Sequence, residues 1–111
     1  MVKATFDLDE NIAAALSYLF GWITGLVFFL FEERNQFVRF HAMQSIMIFL
    51  PVTIILVILW WIPFFGWVAA SVISILALLL WIILLIKAYQ GEKFKIPIAG
   101  DMAEDFSKKK I

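Results

Sequence analysis

Several residue types on which enzymes and redox proteins depend are scarce or missing in this chain. It has no cysteine and one histidine, and charged residues make up only 16% of its 111 positions. Without cysteine, disulfide bridges, thiolate chemistry and cysteine-ligated metal sites are excluded. No HExxH or GxSxG motif occurs either, and such motifs supply the ligands or nucleophile of many hydrolases. We therefore predict a non-enzymatic protein with no catalytic residue, cofactor or metal, and with no nucleic-acid or small-molecule partner.

Apolar residues, by contrast, are in excess. They form 64% of the sequence, and the mean hydropathy is +0.96. Soluble domains contain about 45–50% apolar residues. A chain of this length holds one domain and buries only part of its surface on folding. The excess apolar surface must therefore face lipid, and we predict a single transmembrane domain whose main partner is the bilayer.

Three apolar runs organise the chain, at residues 12–31, 46–62 and 67–87. A helix over the first run would be about 30 Å long, which is the thickness of the hydrocarbon core. The outer turn at 63–66 is so short that the second and third runs must form an antiparallel hairpin. The predicted fold class is all-α, a polytopic membrane protein built as a three-helix transmembrane bundle. Residues 1–11 and 88–111 are predicted to be tails on opposite sides of the membrane.

The second run is predicted to extend beyond the hydrocarbon core. The segment 32–45 is a cytoplasmic loop followed by an interfacial helix, because Phe37, His41, Gln44 and Ile48 recur at helical spacing. We expect one long helix from about Asn35 to Ile62, with an interfacial N-terminal extension. Pro51 removes one backbone donor within it and favours a bend.

The distribution of basic residues predicts the orientation. Cytoplasmic segments of membrane proteins are enriched in lysine and arginine. With the C-terminus inside, eight basic residues are cytoplasmic and only Lys3 is outside; the eight are Arg34, Arg39, Lys87, Lys93, Lys95, Lys108, Lys109 and Lys110. We therefore predict a multi-pass protein of the plasma membrane with its N-terminus outside and its C-terminus in the cytoplasm. The lysines at 108–110 are interpreted as a solvated tail, with contact to anionic lipid as the alternative.

Small residues predict how the helices pack. Transmembrane helices approach closely where small side chains line up. The first run carries such a ridge at Ala13, Ser17, Gly21 and Gly25, and the third carries one at Gly66, Ala70 and Ser74. We expect the two ridges to pack together in parallel, with homo-oligomerisation through the first ridge as the alternative. This arrangement would also bring Glu32 and Glu33 into ion pairs with Lys87, Arg34 or Arg39.

Polar residues near the start of the second run form the candidate site. Arg34, His41, Gln44 and Ser45 share one helical face, and Arg39 points to the opposite side. One interpretation is an amphipathic stretch that meets head groups. The other is a hydrogen-bonded cluster that holds the segment after the third run; its remaining members are Tyr89, Gly91, Glu92 and Pro97.

Two segments resemble a known family. The sequence FVRFHAMQS at 37–45 resembles the F-V-x-F-H-A-x-Q-(A/S) signature of a family of small three-helix prokaryotic membrane proteins of unknown function. The sequence KAYQGEKFKIP at 87–97 is similar to the ending of the same family. That family is distantly similar to the protein-import (Tic) channel component of the chloroplast inner envelope, which has four spans. The resemblance implies a membrane protein of this family, and a contact of His41 and Gln44 with the turn at 91–97.

Two functions are therefore predicted from different classes. The first is a scaffold or accessory subunit whose cytoplasmic face binds a protein partner or another copy of the chain. The second is an oligomeric translocation or permeation subunit. The second requires a water-lined surface, and the apolar runs contain few hydroxyl groups to form one.

Overall fold

The computed structural model describes residues 4, 6 and 8–108. They form an all-helical structure, and its five helices are listed here in chain order: α1 (Glu10–Leu16), α2 (Trp22–Phe31), α3 (Gln36–Trp60), α4 (Phe65–Tyr89) and α5 (Ala99–Ser107). Four of these helices come from segments predicted to be transmembrane or interfacial, but the first apolar run is divided into two helices and the C-terminal tail contains the fifth.

Helices α3 and α4 are long and apolar enough to cross a membrane, judged by length and composition. Each has 25 residues and is therefore about 38 Å long at 1.5 Å per residue. They form an antiparallel hairpin joined at 61–64. Helix α3 starts where the Asn35 side chain accepts a 3.0 Å hydrogen bond from the Val38 N–H, and it continues through Pro51. This agrees with the single long helix that the sequence predicts.

The first apolar run is not one helix, and the prediction of a continuous span over 12–31 is wrong. Helix α1 ends at Leu16, and α2 starts at Trp22 after Gly21, which has a φ of +63°. Glycine adopts this left-handed conformation readily because it has no Cβ. At the turn between the helices, the Tyr18 and Gly21 carbonyls accept from backbone N–H groups, and side chains from α3 and α4 donate further hydrogen bonds to both. The Trp81 indole N–H donates to the Tyr18 carbonyl at 2.6 Å, and the Ser45 hydroxyl donates to the Gly21 carbonyl at 2.8 Å.

Helices α1 and α2 form a hairpin that enters and leaves at the same end of the molecule. At its start, the Asn35 amide donates to the Glu10 carboxylate at 3.0 Å. At its tip, Gly21 lies against the Phe49 side chain. We call this element the N-terminal hairpin (residues 10–31). Because α1 begins beside the end of α4, the described N-terminal residues lie at the same end as the C-terminal helix. The two tails are predicted to lie on opposite sides of the membrane, whereas the structure places the described residues of both at the same end of the α3–α4 hairpin.

The segment after α4 also packs against α3 and turns back on itself. The extended residues 92–97 run back along α3, because the Glu92 carbonyl contacts His41 and the Ile96 N–H contacts Gln44. The chain reverses at Ile98, which has a φ of +69°. Helix α5 then returns along α3 until the Ser107 carbonyl accepts from Arg39. We call residues 92–107 the C-terminal arm. The predicted free tail is therefore packed as far as Ser107, and Lys109 and Lys110 lie outside the described residues.

The small residues of the first run pack against α3 and not against the ridge of α4. A Cβ added to Gly25 would lie 2.8 Å from the Ala42 carbonyl oxygen, so this position requires glycine. Ala13 is buried with Phe28, Phe29, Val38 and Ala42. The predicted partner Gly66 packs instead on Leu59 and Ile62, at the opposite end of the molecule. The ridges do not meet because the N-terminal hairpin reaches only the middle of α4.

We expect the two ends of the chain to share one side of the membrane. The chain has no native cysteine, so single cysteines introduced as Ala4→Cys, Lys108→Cys and Trp61→Cys can be labelled without background. In oriented membranes, an impermeant maleimide should label positions 4 and 108 from one side and position 61 from the other. Labelling of positions 4 and 61 from the same side would contradict this fold.

Candidate functional site

The chain's single histidine lies in a buried polar network at the end where α3 begins. His41, Gln44 and Ser45 of α3 and Tyr18 of the N-terminal hairpin are all fully buried. Buried polar groups are stable only when they are hydrogen-bonded. Every buried side-chain nitrogen and oxygen in the described part of the chain has a hydrogen-bond partner. We call Tyr18, His41 and Gln44 the central network.

The partners of the central network define where each proton lies. His41 Nε2 is 2.9 Å from the Glu92 carbonyl oxygen, which can only accept, so Nε2 carries the proton. His41 Nδ1 is then the acceptor for the Tyr18 hydroxyl at 2.8 Å. The Tyr18 oxygen accepts in turn from Gln44 Nε2 at 2.9 Å. The chain of donors is complete with a neutral imidazole, and a second ring proton would leave the Tyr18 hydroxyl without its acceptor.

Gln44 joins the network to the C-terminal arm. Its Nε2 also donates to the Phe94 carbonyl at 2.9 Å, and its Oε1 accepts from the Ile96 N–H at 3.0 Å. Glutamine therefore acts toward residues 94–96 as a neighbouring β-strand would, with one donor and one acceptor. Among the described residues, no strand pairs with this extended segment. The Gln44 side chain therefore supplies partners for the Phe94 carbonyl and the Ile96 N–H.

Arg39 forms a second buried cluster on another face of α3. Its Nε donates to the Ser107 carbonyl at 2.8 Å, and its Nη1 donates to the Phe29 and Glu32 carbonyls at 2.9 and 2.7 Å. The guanidinium also lies 4.1 Å from the centre of the Phe29 ring, which is a cation–π contact. One side chain therefore joins the C-terminal ends of α2 and α5. Carbonyls at helix C-termini carry partial negative charge, which favours a cation at this position.

Ion pairs stabilise the C-terminal arm on its outer side. Glu104 pairs with Lys95 and with Lys93, the latter at 3.2 Å. Hydrogen bonds from these two ammonium groups lower the pKa of Glu104 to about 2, and the bond to Glu104 raises the pKa of Lys95. Lys93 and Lys95 come from the extended segment and Glu104 from α5. The pairs therefore join the two limbs of the arm across its turn.

The structure separates the residues of the predicted site into three groups. His41, Gln44 and Ser45 point inward, and Glu92 joins them through its backbone carbonyl. Arg39 is buried in its own cluster. Arg34, Tyr89 and Pro97 are exposed, and Gly91 forms the exit turn of α4 with a φ of +82°. Lys87 pairs with Glu92 at 3.1 Å, whereas Glu32 accepts from the backbone N–H groups of Arg34 and Asn35.

Sequence reasoning missed Tyr18, Trp81 and α5. Tyr18 is one of only two tyrosines and lies within an apolar run, where a hydroxyl that needs a partner is a usable signal. Helix α5 is also visible in the sequence, since Met102 and Phe106 lie four residues apart among acidic residues. Its length of nine residues is below what an isolated helix needs for stability, so packing against α3 is essential to it.

A metal centre is not formed by the described residues. Within residues 4, 6 and 8–108, no three His, Asp or Glu side chains are placed so that they could hold a metal ion together. His41 uses both ring nitrogens in the central network. The geometry is that of a structural site, in which polar side chains fix two re-entrant segments against α3.

Comparison with known proteins identifies the family. A family model described as the magnetosome magnetite crystal formation protein family (MamF/MmsF) matches residues 9–103. The chain belongs to this family. The match runs from the start of the N-terminal hairpin into α5, so it includes the central network, Arg39 and most of the C-terminal arm.

The chain is also similar to archaeal proteins whose names state only that they are membrane proteins. It is 48% identical over 107 residues to a UPF0132 membrane protein of Methanocaldococcus jannaschii, covering 96% of each chain. A second UPF0132 membrane protein of that organism is 48% identical over 99 residues, covering 89% of this chain and 71% of the relative. A UPF0132 membrane protein of Archaeoglobus fulgidus is 43% identical over 97 residues, covering 87% and 94%. No solved structure matches the chain.

The Tyr18 hydroxyl should contribute measurably to stability, because it is hydrogen-bonded to both His41 and Gln44. Tyr18→Phe leaves His41 Nδ1 without a donor and one Gln44 N–H without an acceptor. We expect the free energy of unfolding to fall by about 1–3 kcal/mol, the usual cost of unsatisfied buried groups. Thermal unfolding in detergent micelles measures it, and Tyr89→Phe is the matched control because Tyr89 is 62% exposed. Equal melting temperatures for the two variants would contradict the network.

Arg39 should hold the end of α5. In Arg39→Lys, one ammonium replaces a planar group that reaches three carbonyls, and a lysine cannot span them. Hydrogen bonds to charged groups contribute about 1.5–3 kcal/mol each, so we expect amide exchange at residues 103–107 to rise roughly tenfold or more. Hydrogen exchange by mass spectrometry measures this. Arg34→Lys, at an exposed position, should leave exchange unchanged; similar rates in both variants would exclude the role of Arg39.

Proposed function

We propose that this chain is a non-enzymatic membrane scaffold or accessory subunit whose charged end binds a protein partner in the cytoplasm. The observation that carries the proposal is the closed hydrogen bonding of the central network. Its donors and acceptors are used on the backbone of residues 92–96, so they hold the C-terminal arm in place. A chain that uses its buried polar groups in this way presents a rigid surface.

The surface presented at this end carries both signs of charge. Exposed residues there include Glu33, Arg34, Asp105 and Lys108. Complementary charges across an interface contribute more to the orientation and specificity of a partner than to its affinity. In the described residues, the connection at 61–64 at the other end has no charged residue. The two ends therefore differ sharply in the kind of partner they suit.

The same charge distribution supports an orientation with both ends of the chain inside. The basic residues described at the charged end are Arg34, Arg39, Lys87, Lys93, Lys95 and Lys108. By the positive-inside rule this end faces the cytoplasm. At the opposite end Trp60, Trp61 and Trp67 form an aromatic group that suits a membrane interface. We propose a plasma-membrane protein with two spanning helices in this orientation.

The alternative of a Tic-like permeation subunit is less well supported by side-chain geometry. The Thr53 hydroxyl donates to the Phe49 carbonyl at 2.7 Å, and the Ser71 hydroxyl donates to the Trp67 carbonyl at 2.9 Å. These hydroxyls belong to the spanning helices and bond within their own helix. They are thus engaged with the backbone, which favours the scaffold over a water-lined path. The family description concerns magnetite crystals, and our proposal rests on packing and surface charge without metal binding.

Site-specific photo-crosslinking in cells tests the scaffold. A photoreactive amino acid at Asp105 or Lys108 should give discrete protein adducts, because both side chains are exposed where α5 ends at the charged end. The same amino acid at Ile75, an exposed position of α4, is the control and should react with lipid. Protein adducts absent from positions 105 and 108, or equally abundant at position 75, would contradict the proposed surface.

A further inference from the structure

The two halves of the α3–α4 hairpin are surrounded differently. Near the charged end, the N-terminal hairpin and the C-terminal arm pack against both helices. Toward the aromatic end, α3 and α4 have only each other among the described residues, and large apolar side chains are exposed. Representative ones are Ile54, Ile58, Val68, Val72, Ile75 and Leu79.

Both re-entrant segments stop at the same level of α3. The tip of the N-terminal hairpin, Gly21, lies on Phe49. The tip of the C-terminal arm, Ile98, borders a groove with Leu50 and Pro51. Phe49 is about 20 Å along the axis from the start of α3 and about 16 Å from its end at 1.5 Å per residue. Each half thus matches roughly one leaflet of a hydrocarbon core about 30 Å thick.

Beyond the tips of the two re-entrant segments, the surface has an open groove. A groove of about 500 Å³ lies between α3 and α4, lined by Thr53, Leu56, Ser74 and Ala77, with Gly21 at its floor. On the other side of the tips, exposed apolar residues of the N-terminal hairpin face outward, including Phe20, Ile23 and Leu30. The C-terminal arm exposes Ile98 and Met102 near its tip and charged residues such as Lys93 and Asp105 toward the charged end. The apolar side chains suit the hydrocarbon of the same leaflet, so the N-terminal hairpin and the tip of the arm occupy area within it.

The result is a molecule that is wider in one leaflet than in the other. In the leaflet at the charged end α1 and α2 lie beside α3 and α4, and α5 adds the exposed apolar side chains of Met102 and Phe106 at its border, whereas the opposite leaflet holds two helices. A helix about 10 Å in diameter has a cross-section of roughly 80 Å², so these additional elements displace lipid from one leaflet only. Insertion of apolar helices into one leaflet makes membrane binding sensitive to curvature.

We propose that this chain acts as a membrane wedge that prefers bilayers whose leaflet at the charged end is on the convex side. The preferred partner is a curved lipid surface, and acyl chains cover the exposed halves of α3 and α4. The leaflet on the convex side of a curved bilayer has the larger area, and the re-entrant segments fill part of this additional area. With the charged end in the cytoplasm, the favoured shape bulges toward the cytoplasm. This role is independent of any protein partner at the charged end.

Sorting between a giant vesicle and a tube pulled outward from it tests the wedge. The full chain is labelled through Lys108→Cys and reconstituted in phosphatidylcholine–phosphatidylglycerol vesicles, and an impermeant quencher reports which end faces out. With the charged end outside, the protein-to-lipid fluorescence ratio should be severalfold higher in the tube and should rise as the tube narrows. With the charged end inside, the protein should be depleted from the tube.

Three results would overturn the proposal. One is a tube-to-vesicle ratio near one in both orientations, and another is enrichment in both orientations. The third is enrichment that follows protein density and not tube radius, since this would show that contact between copies of the chain causes the sorting.

A variant at the tip of the C-terminal arm gives a second measurement. Ile98 is 76% exposed, so Ile98→Lys changes little packing but disfavours burial of the tip in hydrocarbon. We expect the arm to withdraw and the sorting ratio to fall toward one, while Ile98→Leu should sort like the parent. If Ile98→Lys keeps its helical content and sorts as strongly as Ile98→Leu, the arm does not contribute to the wedge. If Ile98→Lys does not fold, the orientation dependence of the parent chain still decides the proposal.

Discussion

The structure depends on satisfying backbone groups where the chain reverses inside an apolar environment. In lipid, a free carbonyl or N–H costs several kcal/mol, so a chain can turn at that depth only where protein supplies partners. Trp81 and Ser45 supply donors at the turn of the N-terminal hairpin. Gln44 supplies both a donor and an acceptor along the C-terminal arm. These residues come from α3 and α4, so the α3–α4 hairpin is the support on which both re-entrant segments are built.

The same constraint explains why the polar residues concentrate on the first turns of α3. His41 and Gln44 face the C-terminal arm, Ser45 faces the tip of the N-terminal hairpin, and Arg39 contacts the ends of α2 and α5. Each is buried, and each bonds to backbone from a segment distant in sequence. The polar character of this stretch therefore reflects contacts with protein, whereas an interfacial helix that meets head groups would leave these side chains exposed.

The wide and narrow halves of the fold also explain why large apolar side chains are exposed. For a protein in water, a surface with Ile54, Val72 and Ile75 exposed would be an aggregation hazard. For a chain whose relatives are membrane proteins, such a surface is suited to contact with lipid. The charged end has a different composition, and its ion pairs, such as Glu104 with Lys93, connect the two limbs of the C-terminal arm. The two proposals together divide function between a shaped hydrocarbon region and a rigid polar end.

Sequence alone determined the class of protein, the long helix through Pro51, the hairpin of the second and third apolar runs (with its turn at 63–66, where the structure has 61–64) and the stretch of α3 that carries the buried polar residues. These follow from composition, helical spacing and connection length, which are local properties. Only the tertiary structure decided that residues 12–31 turn back at Gly21 and that residues 92–107 fold against α3. An apolar run of 20 residues satisfies the length rule for a span whether it crosses or returns. The choice depends on Trp81, Ser45 and Phe49, which lie distant in sequence and receive the turn, so no local pattern within the run could reveal it.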